Sequence, residues 1–148
     1  MAMAAIIMLL AGYGVMSLFG QSYGVVKFQA DGGSTTIITE IADSQQKWET
    51  GLMYRDNLPS DRGMLFLFPS LFPRAFTMEN THIPLDIIFI SGDGTILDIY
   101  PSAQPESRML YTSPCFYAVE VNGGFCKEQG IRVGDKVKIG LYRHPARY

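Results

Sequence analysis

Two apolar runs, "DIIFI" at 86–90 and "TILDIY" at 95–100, are separated by Ser91-Gly92-Asp93-Gly94. A Gly/Asp turn between β-branched and aromatic runs is a strong short-range hairpin signal, and it commits this part of the chain to antiparallel strands. The same pattern recurs. Val25, Val26 and Phe28 form a short strand, Asp31-Gly32-Gly33 a turn, and Thr35 to Ile41 a second β-branched strand. "MLFLF" at 64–68 reads as a buried strand that the two prolines of "PSLFP" are expected to break, with a further short strand at 75–79. "CFYAVEV" and "GDKVKIG" supply later strands.

Two segments switch to helical spacing. In "DSQQKWETG" Asp43 is the expected N-cap and Gly51 the terminator, with Trp48 and Leu52 four apart on the inner face. "NGGFCKEQG" reads as a second short helix closed by Gly130. Sequential hairpins pair antiparallel, because parallel strands need long crossovers. The expected fold is mainly β (α+β): a compact antiparallel barrel or sandwich of about eight short strands with two short helices, plus one N-terminal transmembrane helix.

That last element rests on residues 2–19, which are apolar or small throughout; no charged side chain occurs before Lys27. About 18–20 such residues suffice to cross the hydrocarbon layer as a helix. An uncleaved anchor fits best, since no Lys or Arg precedes the apolar core and no A-x-A site precedes Gln21. A cleaved signal peptide is the alternative; a buried core helix would show solvent no polar face. The layout is therefore 1–20 anchor or uncleaved signal, 21–33 linker and first strand, 34–140 β domain and 141–148 tail. The tail "LYRHPARY" is basic and aromatic and reads as solvated, with a membrane surface or a partner as the alternative.

With a net charge of -2 the chain lacks the electrostatic footprint of nucleic-acid binding, and that class is set aside. Cys115 and Cys126 allow one disulfide without requiring it, and two Cys with two His at these spacings do not make a zinc set. No cofactor and no metal is expected. His82 is the sole histidine inside the domain, and Pro84 prevents a helix that would align it with Asp86. No nucleophile elbow is present, so no catalytic residue is assigned. Glu79, Asp86, Asp98 and Glu120 could form an acid–base pair only if the fold brought two of them together. The polar stretch "ENTHIPLD" at 79–86 reads more simply as a turn that fastens two strands, with Asp86 accepting bonds from loop amides.

Taken together, "GLMYRDNLPSDRGMLFLF", "MENTHIPLDIIFI" with "DGTI", and "VEVNGG" followed by "GIRVGDKV" resemble the family catalogued as domain of unknown function 192, over roughly residues 35–140. The resemblance implies a small bacterial protein, often exported or membrane-anchored, with a compact mostly β domain. It carries over to Gly51, Leu52, Met53 and Arg55, to Gly63, Met64 and Phe66, and to Phe76, Met78, Asn80, Thr81, Pro84, Leu85 and Asp86. It carries over further to Glu120, Gly124, Gly130, Gly134 and Asp135. Thr77 and Glu79 stand where the family commonly has Trp and Lys, which would alter any ligand site those residues shape.

The leading expectation is a non-enzymatic, membrane-anchored extracytoplasmic domain acting as an accessory or assembly subunit of a larger membrane complex. Its partners would be membrane lipid and integral membrane subunits, and its location the periplasmic side of the inner membrane, held by a single span. The alternatives are a membrane-tethered binding module for a small ligand or envelope glycan, using Arg55, Asn80, Asp86 and Glu120 in one pocket, and a hydrolase built on acidic residues.

Overall fold

A computed structural model describes residues 22–143. The expected anchor or signal at 1–20 lies outside the described residues, as does the part of the expected 141–148 tail after Arg143; Leu141 and Tyr142 of that tail instead belong to the last strand. Among the described residues no helix is long and apolar enough to cross a membrane.

The elements in chain order are β1 (Tyr23–Ala30), β2 (Gly33–Ala42), α1 (Gln45–Thr50), β3 (Arg62–Phe76), β4 (Leu85–Ile90), β5 (Ile96–Ala103), β6 (Tyr111–Asn122), α2 (Phe125–Gln129) and β7 (Lys136–Tyr142). They form one seven-stranded sheet in the order β5-β4-β6-β3-β2-β1-β7. The sheet is open, so neither the expected barrel nor the sandwich forms. Its two ends do touch: Thr95 bridges Lys136, and the Val137 N–H donates to the Gly94 carbonyl.

Two further expectations are corrected. The sheet is not wholly antiparallel, because β2 and β3 run parallel. The connection at residues 43–61, with α1 inside it, is long enough for the crossover that parallel neighbours require. The prolines of "PSLFP" also do not break β3, which continues to Phe76. Its pairing with β6 shifts between Leu67 and Phe72, so Pro69 falls where no ladder bond is asked of it, and Pro73 lies opposite Pro114.

The helices are as short as the sequence indicates. Ser44, not Asp43, is the N-cap of α1, and Asp43 instead accepts from Lys47 Nζ at 2.7 Å. Gly51 ends the helix at φ 46° and ψ −129°, a region open to glycine alone rather than the left-handed helical basin. Gly130 closes α2 in the left-handed conformation.

Apolar side chains bury on both faces of the sheet, which is why β4 is buried at all six positions. One cluster gathers Leu52, Met64, Phe66, Phe76, Leu85, Ile87, Phe89 and Cys115, with Trp48 packed against it. The other holds Val26, Phe28, Ile37, Leu65, Ile88, Val119 and Val121 under Phe125 and Cys126 of α2. The two cysteines are free, buried and in different clusters, so the candidate disulfide is not formed. Burial pushes the Cys115 thiol up to about 12 and raises that of Cys126 further, so both behave as small apolar residues.

Candidate functional site

Antiparallel and parallel registers together place three residues side by side on one face: Glu40 of β2 opposite Met64 of β3, and Met64 opposite Glu120 of β6. Glu40 and Glu120 therefore stand two strands apart, about 9–10 Å between backbones. Arg55, in the loop after α1, reaches over this row. Its Nη1 and Nη2 donate to Glu40 Oε1 and Oε2 at 2.5 and 2.8 Å, a bidentate pair that uses both carboxylate oxygens.

Glu120 lies beneath. It is 4 % exposed, and among the described residues its Oε2 has no hydrogen-bond partner. Burial pushes its carboxyl up to about 8, and the Arg55 charge pulls only partly the other way. Arg55 in turn is raised, first by its bond to Glu40 and also by the nearby Glu120. Gly51 covers the acid, for a Cβ there would lie 3.6 Å from Glu120 Oε2. Above them opens a cleft of about 600 Å³ lined by Ser22, Glu40, Gln46, Lys47, Thr50 and Arg55 among others.

Of the four residues expected to share a pocket, Arg55 and Glu120 do come together. Asn80 is adjacent only through the backbone: at φ 53° its carbonyl accepts from the N–H of Tyr54, beside Arg55. Asp86 is on the opposite face. It alternates with Ile87 and so points with Ile88 and Ile90 into the cluster under α2. There, fully buried, it accepts from the N–H groups of Ser102 and Gly124 at 2.8 and 2.9 Å on Oδ1, and of Cys126 at 2.8 Å on Oδ2. That is the fastening role read from the sequence. His82 is exposed and 3.3 Å from Asp56. Among the described residues no group of three or more His, Cys, Asp or Glu could hold a metal ion.

Glu40 is the site residue that sequence reasoning missed. The one available signal is that it is the sole acid inside the β-branched run "TTIITEIA"; the register that sets it beside Met64 and Glu120 cannot be read from the chain.

The chain matches the family model DUF192, described as "Uncharacterized ACR", over residues 26–139. It is similar to a crystal structure from Sinorhizobium meliloti 1021, named as that of a candidate transcription regulator, with 35 % identity and a TM-score of 0.77. The match covers 80 % of this chain and 95 % of that one. A protein of unknown function from Novosphingobium aromaticivorans DSM 12444 is similar at 34 % identity and a TM-score of 0.75, covering 77 % of this chain and 83 % of that one. No curated protein matches significantly.

Proposed function

We propose that this chain, which belongs to the DUF192 family, is a membrane-tethered binding module whose cleft takes a small polar ligand of the hydroxyl-rich kind found in envelope glycans. The observation that carries the reading is the pairing of a concave site with a buried acid that has no partner among the described residues: Glu120 Oε2 lies beneath Gly51, which lines the cleft. Buried polar groups are ordinarily satisfied, and an exception at a cleft is where a ligand completes the set. The lining supports a neutral, hydrogen-bonding ligand. Lys47 and Arg55 balance Asp43 and Glu40, while Gln46 and Thr50 offer both donors and acceptors. The apolar segment at 2–19 is assigned as the tether.

A hydrolytic role is less well supported, since both oxygens of Glu40 are held by Arg55 and are not free to act as a base or nucleophile. The regulator name of one relative is not carried over, because the helices here, Gln45–Thr50 and Phe125–Gln129, are too short to read a major groove.

Calorimetric titration of the full-length chain in mild detergent with soluble envelope-glycan fragments tests the reading. Binding is expected to weaken about tenfold or more in Arg55→Ala, a loss of about 1.4 kcal/mol. Equal affinity in the variant would place the ligand elsewhere.

A second reading, as an accessory subunit of a larger membrane complex, is favoured by one observation. The β3 segment between its two prolines carries Leu71 and Phe72 at 57 % and 61 % exposure. This reading predicts co-migration of the full-length chain with a large complex on a native gel, and migration as a small species counts against it.

A further inference from the structure

The sheet face on which the cleft opens continues across β1 and β7. Alternation along β1 puts Tyr23, Val25 and Lys27 on this face, directly opposite Tyr142, Gly140 and Lys138 of β7. The two tyrosine rings stack at 5.3 Å between centroids. Gly140 gives the Tyr142 ring room to lie along the strand, since a Cβ there would come within 3.0 Å of it.

Lys27 and Lys138 are both exposed and face each other in register. Like charges directly opposite destabilise a sheet, and neither lysine has an ion-pair partner among the described residues. Stacked tyrosines beside unpaired cations match the two chemistries of a bilayer surface: phenol rings settle at headgroup level, and lysines complement anionic lipid. The described chain also begins on this face. The apolar stretch ends at residue 19, Ser22 lines the cleft, and Tyr23 begins β1.

We infer that this face, with the Tyr23–Tyr142 stack and the Lys27–Lys138 pair, docks on an anionic membrane leaflet. The row Tyr142, Tyr23, Glu40 runs straight from the docking strip to the cleft, so the cleft mouth sits at the headgroup layer and is filled from there. The inference rests on the tethered reading above.

Lysine acetylation footprinting of the full-length chain tests it, in nanodiscs of phosphatidylcholine with and without phosphatidylglycerol. Lys27 and Lys138 are expected to react about threefold or more slowly in the anionic discs, with the protection lost in about 1 M salt. Lys127, on α2 across the sheet, serves as the control and keeps its rate. Lys27→Gln, which removes an opposed charge, is expected to fold normally and to weaken protection of Lys138. Equal rates for Lys27, Lys127 and Lys138 in both discs would overturn the docking face while leaving the tether intact. Failure of the chain to enter neutral discs would instead sink the tether. In that event the same protein, added to preformed anionic vesicles, supports the docking face if the two lysines are protected and overturns it if they are not. Protection by a DNA duplex but not by vesicles also overturns it.

Discussion

Replacing Asp86 by alanine is expected to lower the stability of the domain by about 3–5 kcal/mol, measured as a shift in urea midpoint. The side chain is fully buried and satisfies three backbone N–H groups that come from two separate segments, Ser102 in β5 and Gly124 and Cys126 at the start of α2. Its removal strands all three amides where water does not reach, and leaves a cavity under α2. Asparagine is expected to be intermediate. Its oxygen can still accept at one position, but its NH₂ then faces an amide donor. A small effect on stability, combined with loss of ligand binding, would show that the residue serves chemistry rather than fastening.

The pH dependence of stability provides the second large effect. Glu120 titrates at about 8 in the folded chain against an ordinary 4.5. Between those values the folded chain keeps a proton that the unfolded chain releases. The contribution is thus full below about pH 4.5 and falls as pH rises toward 8. At about 1.4 kcal/mol per unit, the loss between pH 5 and pH 8 is on the order of 3–4 kcal/mol. Glu120→Gln keeps the shape and removes the titration, so the difference in slope between the two proteins isolates this carboxyl. Parallel stability–pH curves for wild type and Glu120→Gln would contradict the assignment.

Much of the architecture is legible in local chemistry. The Ser91–Gly94 turn, the β-branched run before Ala42, and the glycines that stop α1 and α2 each carry their own instruction, and the elements form where those residues predict. What cannot be read is long-range register. The parallel placement of β3 beside β2 depends on a crossover whose direction no local pattern encodes, and it is this placement that aligns Glu40 with Met64 and Glu120. The continuation of β3 through Pro69 and Pro73 is hidden for the same reason, because a proline breaks a strand only where the neighbour offers a bond.

The candidate site divides along that line. Gly51, Arg55 and Glu120 stand out within the family motifs, yet which acids share a face is a matter of odd and even positions on strands that are far apart in sequence. Asp86 and Glu120 both look like candidate ligands in the sequence. The first points under α2 and the second toward Arg55.

The most direct measurement is a map of amide chemical shifts for the full-length, isotope-labelled chain in detergent micelles as envelope-glycan fragments are added. Binding in the cleft predicts that the shifts concentrate at Glu40, Gln46, Thr50, Gly51 and Arg55, and vanish in Arg55→Ala. Shifts confined to the Leu71–Phe72 segment, or none at the cleft at millimolar ligand, would contradict it.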